Sequence, residues 1–143
     1  MSQVQTRLRR PGLALIAASL LMASSGYAAS PFETGRRLFG EKKFDAAAQA
    51  FEQAVRADPW MSEYHLWLGR AYGRLAERSS SFRAFGLAMK TRASLERAVD
   101  LDPNNTAALV DLMDYYNQAP GFLGGSHEKA EEIRKRLEKF QKH

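Results

Sequence analysis

The sequence has no cysteine among its 143 residues. This absence excludes disulfide bonds, thiolate zinc sites, iron–sulfur clusters, a cysteine nucleophile and a lipid-modified N-terminal cysteine. The chain is also too short for a multidomain enzyme. Its 45% hydrophobic and 26% charged residues are ordinary for one small globular domain. We therefore expect one domain that is held together by packing alone.

Motifs that carry catalysis or cofactor binding are missing as well. The three histidines, His65, His127 and His143, show no metal-ligand spacing such as HExxH, and no Gly-x-Ser-x-Gly nucleophile elbow occurs. The glycine-rich stretch 121–125 lacks the Gly-Lys-Ser/Thr ending of a P-loop. We therefore expect no enzyme activity, no catalytic residue, no metal site and no cofactor.

A basic segment followed by an apolar one opens the chain. Arg7, Arg9 and Arg10 precede the apolar run 13–23, and small residues follow that run. This order is typical of an export signal peptide. The run is shorter than the about 20 apolar residues that span a bilayer. We therefore expect a cleaved signal peptide rather than a membrane anchor.

Cleavage of this leader removes much of the positive charge. We expect it after Ala28, because small Gly26 then lies two residues upstream; cleavage after Ala29 is the alternative and places bulky Tyr27 there. The leader, 1–28, holds three of the 21 basic residues and none of the 16 acidic ones, so the formal net charge falls from +5 to +2. We expect a periplasmic or secreted product that binds no nucleic acid and does not insert into a membrane.

Three spacings in the remaining chain indicate an internal repeat. Gly35 and Gly69 are 34 residues apart. The pair Asp58-Pro59 recurs 44 residues later as Asp102-Pro103, and Tyr72 and Tyr116 are also 44 residues apart. A 34-residue unit with ten residues inserted into its second copy accounts for all three spacings. The chain therefore predicts a repeat architecture over 29–143.

These units resemble the tetratricopeptide repeat family. The residues that carry the resemblance are Ala47-x-x-x-Phe51-x-x-Ala54 in the first unit and Leu68-Gly69-x-x-Tyr72 in the second. The third unit keeps Tyr116 but has Met113 in place of the glycine. The resemblance covers about 31–143 and implies an all-α fold, in which three helical hairpins stack as a short right-handed solenoid.

The hydrophobic pattern places six helices in this stack. Apolar side chains recur at helical spacing between Phe44 and Ala57. Pro59 and Pro103 end one hairpin and start the next, because proline lacks the amide N–H that a continuing helix needs. The expected repeats are 31–59, 61–103 and 105–141, with helices at 31–41, 44–57, 61–78, 87–101, 105–118 and 127–141.

Two insertions interrupt the repeat. We expect the first, 79–86, to extend the preceding helix or to form a flap whose aromatic residues cover the hairpin. The second, 118–126, has turn residues on both sides of Phe122 and Leu123, and Ser126 is placed to cap the next helix. This loop either tucks against its own helices or presents Phe122 and Leu123 to a partner protein.

The family resemblance implies that the first helices of the hairpins line a concave groove that binds a peptide or a helix. The repeat register places these residues on that face: Arg36, Arg70, Arg74 and Asn117. The three arginines are expected to form a positive floor that suits a carboxylate. The alternative is that Arg70 and Arg74 belong to a solvated ridge paired with acids of the same helix.

The sequence thus predicts an exported adaptor of the tetratricopeptide repeat type, which binds another protein or a peptide in its groove. The alternative is a structural or assembly role as a homo-oligomer. The contacts of such an oligomer would be the Phe122-Leu123 loop or the last helix, whose apolar stripe ends at Phe140.

Overall fold

The structure, a computed structural model, describes residues 28–142. The helices are α1 (Pro31–Gly40), α2 (Phe44–Ala57), α3 (Ser62–Glu77), α4 (Ser81–Leu101), α5 (Thr106–Gln118) and α6 (His127–Gln141), with a 3-10 turn at Gly121–Leu123. These residues contain no β-strand, so the predicted all-α class is confirmed for them. None of their helices is both long and apolar enough to cross a membrane. The predicted signal peptide lies outside the described residues, apart from Ala28.

The six helices form three stacked hairpins. Each helix packs against its neighbours in chain order, and α3 also touches both α1 and α5. Because short turns join them, successive helices run in opposite directions. The turns within the hairpins, 41–43, 78–80 and 119–126, therefore share one end of the stack, which we call the hairpin-turn end. The turns between hairpins, 58–61 and 102–105, lie at the opposite end. The right-handed solenoid twist stays a prediction.

The two junctions between hairpins have the same local structure. Asp58 and Asp102 follow the last residues of α2 and α4, with φ/ψ of −143°/97° and −138°/94°. The Asp58 carboxylate accepts a hydrogen bond from the N–H of Trp60, and the Asp102 carboxylate accepts one from Asn104. Proline follows each aspartate and disfavours helical angles there. The prediction that Asp-Pro ends one hairpin and starts the next is confirmed at both junctions.

Gly35 and Gly69 make equivalent contacts, as their spacing predicts. A Cβ atom at Gly35 would lie 2.6 Å from the Phe51 ring, and one at Gly69 would lie 3.0 Å from the Leu95 side chain. Both large side chains are buried. Glycine therefore lets the second helix of each of these hairpins approach the first closely.

Buried apolar side chains form two clusters. The first lies between α1, α2, α3 and the start of α4 and includes Phe51 and Tyr72. The second extends from α3 and α4 to α6 and includes Leu109 and Ile133. The last helix therefore contributes to the core, as its stripe predicts, but Phe140 at the end of that stripe is 42% exposed.

The first insertion neither extends α3 nor forms a flap, so both expectations for it were wrong. Residues 81–86 form the first turns of α4, which begins at Ser81 instead of near 87. Ser79 closes α3 locally, because its Oγ donates a hydrogen bond to the Leu75 carbonyl. No proline lies between Ser79 and Pro103, so a new helix can start at Ser81. Phe82 does not cover the hairpin as expected, because its side chain is 95% exposed.

The second insertion has a compact backbone and one exposed aromatic ring. Residues 121–123 form the 3-10 turn, and the Ser126 N–H donates a hydrogen bond of 2.9 Å to the Tyr116 carbonyl. The Ser126 Oγ accepts a hydrogen bond from the N–H of Lys129, so the predicted cap of α6 is confirmed. Phe122, in contrast, is 75% exposed.

Candidate binding cleft

A cleft of about 420 Å³ lies along α1, α3 and α5, the first helices of the three hairpins. Thr91 and Leu95 of α4 also line it. Its aromatic and charged lining residues are Phe39, Trp67, Tyr115, Arg70, Arg74, Glu77, Asp111 and Asp114. The fold thus brings side chains from all three hairpins to one open site.

Trp67 is the aromatic centre of this region. Its ring packs edge-on against Phe39, with centroids 5.4 Å apart. The guanidinium groups of Arg36 and Arg70 lie 5.1 Å and 4.9 Å from the centre of the Trp67 ring. The Trp67 Nε1–H donates a hydrogen bond of 2.7 Å to Glu63. These cation–π contacts hold both arginines against the indole.

Arg70 is held a second time by an ion pair across the cleft. Its Nε lies 2.5 Å from Oδ2 of Asp111, and the two side chains are 29% and 25% exposed. Partial burial and direct hydrogen bonding make such a pair stronger than a fully solvated one. The pair joins α3 to α5 and therefore the second hairpin to the third.

The remaining charges of the cleft include both signs. Arg74 pairs with Glu77 of the same helix at 3.0 Å, and both side chains are more than half exposed. Asp111 and Asp114 add two carboxylates from α5. The positive floor expected from Arg36, Arg70 and Arg74 is therefore not formed, because carboxylates pair with Arg70 and Arg74 and Arg36 is not among the residues that line the cleft. For Arg74, the alternative of a ridge paired within its own helix describes the structure better.

Asn117 is not among the residues that line the cleft. Its Oδ1 lies 3.2 Å from Nδ1 of His127 at the start of α6. Asp114 and Gln118 line the cleft from the same part of α5. The contact with α6 therefore draws Asn117 away from the face that the repeat register assigned to it.

The two predicted loop residues have different surroundings. The exposed Phe122 ring lies parallel to the Phe85 ring, with centroids 6.4 Å apart and an interplanar angle of 3°. Leu123 is half-buried, and its carbonyl accepts a hydrogen bond of 2.9 Å from the Tyr115 hydroxyl. Burial raises the pKa of the Tyr115 phenol, which keeps its hydroxyl protonated as a donor. Tyr115 also lines the cleft, so the loop and the cleft share one side chain.

Sequence reasoning missed Trp67 and Asp111. Helical spacing offered a signal for both, since Trp67 lies four residues after Glu63, and Asp111 lies three before Asp114. The partner of Asp111 had no such signal. Arg70 is 41 residues away in the chain, and only the packing of α3 against α5 brings the two side chains together.

No family model matches the chain, and no curated protein matches it. Within residues 28–142, no group of three histidine, aspartate or glutamate side chains is arranged to hold a metal ion.

Proposed function

We propose that this chain is an exported adaptor of the tetratricopeptide repeat type, with no chemistry of its own. It binds an extended peptide or a helix of another protein in the cleft along α1, α3 and α5. The observation that carries this proposal is the open cleft itself, to which the first hairpin contributes the aromatic Phe39 and the other two contribute both aromatic and charged side chains. Aromatic residues and arginine are the residue types that most often dominate binding at protein interfaces.

The repeat assignment is supported by contacts that recur between the first two hairpins. Phe51 packs on Gly35 as Leu95 packs on Gly69. A second recurrence involves a tyrosine of one hairpin and a glutamate of the hairpin before it: Tyr72 donates to Glu52, and Tyr116 donates to Glu96. The basic and apolar leader supports export to the periplasm or the exterior.

The charges in the cleft favour a peptide of mixed character over a purely acidic one. An acidic side chain of the ligand would have to compete with Asp111 for Arg70. Asp114 offers a carboxylate to a basic side chain, and Arg74 is exposed enough to exchange Glu77 for an acidic one. Complementary charges of this kind fix the register of a partner more than they add affinity.

Site-specific photo-crosslinking tests where the partner binds. A benzoylphenylalanine replaces Gln118, which lines the cleft, or Gln49, which is exposed on α2 and lines a different cavity. We expect a crosslinked partner protein from position 118 and none from position 49. Equal crosslinking from both positions, or crosslinking from position 49 alone, would contradict the proposal.

Charge reversal within the cleft gives the second arm of this test. Arg74→Glu with Asp114→Arg changes two exposed cleft residues in the chain labelled at position 118, and we expect about tenfold less crosslinked partner. The matched control is Arg56→Glu with Asp100→Arg, which reverses two exposed charges that do not line the cleft. Circular dichroism verifies that both variants keep the helical fold. An equal loss in both variants would argue against the cleft.

Export is tested separately from binding. The intact mass of the chain recovered from a periplasmic extract should correspond to residues 29–143. A full-length chain that remains in the cytoplasm would contradict export and would leave the proposal for the cleft untouched.

A second candidate function is assembly into a homo-oligomer. The partial exposure of Phe140 at the end of the last helix and the exposure of Phe122 in the loop favour it. Light scattering at micromolar concentration distinguishes the two functions. The adaptor proposal expects a monomer, whereas a dimer that Phe140→Ser or Phe122→Ser dissociates would favour assembly.

A further inference from the structure

Three phenylalanines from the two insertions are exposed close to the hairpin-turn end, and we call them the phenylalanine patch. Phe82 is 95% exposed, Phe122 is 75% exposed and Phe85 is 48% exposed. The stacking of Phe85 on Phe122 joins the first insertion to the second. Leaving such rings in water is unfavourable, and exposed apolar patches mark surfaces that bind something.

Cations surround a neighbouring part of the same end. A cavity of about 340 Å³ between the turns 41–43 and 78–80 is lined by four of them: Lys42, Lys43, Arg78 and Arg83. Arg83 directly follows Phe82 in the first turn of α4, so the cations and the patch adjoin each other. The acids near this cavity are fewer: Asp45 is in its lining, Glu41 is in the first turn, and Glu77, which pairs with Arg74, lines an adjoining cavity with Lys42 and Arg78.

Two of these four cations have no acidic partner within residues 28–142. Lys43 pairs with Glu41, and Arg83 pairs with Asp45, each at 2.8 Å. Lys42 makes no ion pair there, and the guanidinium of Arg78 lies over the Phe44 ring instead of a carboxylate. The hairpin-turn end therefore keeps uncompensated positive charge beside exposed aromatic rings.

The opposite end of the stack has a different composition. Trp60 is 71% exposed there with the Arg97 guanidinium over its ring, and Phe140 of α6, which ends near the same end, is 42% exposed. The turns 58–61 and 102–105 contain Asp58 and Asp102 and no lysine or arginine, although Arg136 of α6 donates a hydrogen bond to the Pro103 carbonyl. Among the described residues, three exposed phenylalanines next to cations of the turns themselves are found at the hairpin-turn end.

We infer that the hairpin-turn end docks on the surface of a bilayer that is rich in anionic phospholipid. Exposed aromatic rings flanked by lysine and arginine are the composition of surfaces that lie in the membrane interface. Phe82 stands almost free of the protein at the tip of a helix, and a fluid lipid surface accepts such a ring without a complementary pocket. Docking is peripheral, since no described helix could span the bilayer. The cleft adjoins this end, because Tyr115 lines the cleft and donates to the Leu123 carbonyl, but none of the three phenylalanines of the patch lines the cleft.

Vesicle sedimentation tests the phenylalanine patch. The chain is mixed with vesicles of phosphatidylcholine alone or of equal parts phosphatidylcholine and phosphatidylglycerol, and we expect tighter binding to the second. Replacing all three rings, Phe82→Ser, Phe85→Ser and Phe122→Ser, should weaken that binding about tenfold or more. The control Trp60→Ser removes one ring from the opposite end and is matched in number and exposure by the single variant Phe122→Ser. We expect the control to change binding less than about twofold and Phe122→Ser to weaken it more than the control does. The chain starts at Ala29 in every vesicle measurement, because the basic and apolar leader would itself bind anionic vesicles and every described helix lies after it.

A charge variant tests the electrostatic part. Lys42→Asn with Lys43→Gln removes two cations, and asparagine tolerates the left-handed φ of 60° at position 42. We expect about tenfold weaker binding to the anionic vesicles. The control Lys135→Gln with Lys139→Gln removes two exposed cations of α6 and should have a smaller effect than the turn variant. Equal effects of the two variants would mean that binding follows the net charge of the chain and not the position of the cations. That result would overturn the proposed orientation.

A fluorescent probe locates the contact. Phe82→Trp in a chain with Trp60→Phe leaves two tryptophans, position 82 and Trp67 of the cleft, and its emission should show a blue shift and quenching by brominated lipid when anionic vesicles are added. The emission of the unmodified chain, which comes from Trp60 and Trp67, should not be quenched. Absence of quenching at position 82, or no preference of the unmodified chain for anionic vesicles, would overturn the inference. If the unmodified chain does not bind vesicles and the patch variant loses self-association or a protein partner, the patch is a protein interface instead.

Discussion

Arg70 of α3 and Asp111 of α5 form an ion pair whose atoms, Nε and Oδ2, lie 2.5 Å apart across the cleft. The same arginine lies over the Trp67 ring. One side chain therefore connects two hairpins and supports the aromatic centre of the proposed binding site. This arrangement makes Arg70 a structural part of the cleft, and it leaves Arg74 and Asp114 as the more accessible charges for a ligand.

A double-mutant cycle on Arg70→Ala and Asp111→Ala should reveal coupling. We expect a coupling energy of about 1 kcal/mol in the free energy of unfolding, measured by urea denaturation, because the pair is partly buried. The Arg74 and Glu77 pair is the control, since both side chains are more than half exposed on one helix and should couple by less than about 0.5 kcal/mol. Additive effects of the first two substitutions would contradict the role given to this pair.

The close contacts at the repeat glycines predict opposite effects of alanine at different positions. Gly69→Ala should lower the free energy of unfolding by about 1–3 kcal/mol, because the new Cβ would lie 3.0 Å from Leu95. Gly86→Ala is the control in the interior of α4, where no atom lies within 4 Å of a new Cβ. It should stabilise the protein by about 0.5–1 kcal/mol, since alanine favours helix. Thermal or urea unfolding measures both, and a harmless Gly69→Ala would refute the packing.

Gly124 should resist substitution for two separable reasons. Its φ of 86° is strained for any other residue, and a Cβ would overlap the Arg92 guanidinium. We expect Gly124→Ala to cost about 2–3 kcal/mol in the unmodified chain and about 1 kcal/mol in an Arg92→Ala background. Faster hydrogen exchange of the Ser126 amide, which bonds to the Tyr116 carbonyl, would report loosening of the loop. Equal costs in both backgrounds would show that Arg92 does not pack on the loop.

Two buried tyrosines should make the fold sensitive to alkaline pH. Burial, reinforced by hydrogen bonds to Glu52 and Glu96, raises the pKa values of Tyr72 and Tyr116 well above the ordinary value of 10.0. The folded state therefore keeps these protons where the unfolded state loses them. Their contribution to stability is complete below pH 10 and is lost as the pH rises above it.

The corresponding measurement is urea unfolding as a function of pH. The free energy of unfolding should fall above pH 10, and Tyr72→Phe or Tyr116→Phe should make that fall less steep. Tyr64→Phe is the control, since Tyr64 is half-buried and donates no hydrogen bond to a carboxylate within the described residues. An unchanged slope in all three variants would disprove the assignment of this pH dependence to the tyrosines.

The parts of the fold that the sequence predicted correctly depend on local interactions. Asp58-Pro59 and Asp102-Pro103 terminate helices through their own backbone, and Ser126 caps a helix that starts at the next residue. The glycine contacts are not local, but the repeat period identified them because equivalent glycines recur in the first two copies.

The incorrect expectations concern interactions between distant segments. The sequence does not state whether 79–86 joins the helix before it or the one after it, because the segment can be helical with either. The sign of charge in the cleft depended on Asp111, which reaches Arg70 only through the packing of α5 on α3. The spacing of arginines along α3 therefore predicted a positive site, whereas the site contains charges of both signs.

The stacked rings of Phe85 and Phe122 have a consequence for how this array could be rebuilt. Stacked helical repeats are often treated as interchangeable units, which can be added, removed or reordered because each contacts only its neighbours through similar surfaces. Here Phe85 of the second hairpin stacks on Phe122 of the third, and both residues lie in insertions outside the repeat pattern. A chain with a hairpin inserted between them, or with their order exchanged, would separate the two rings, so this short array is not modular.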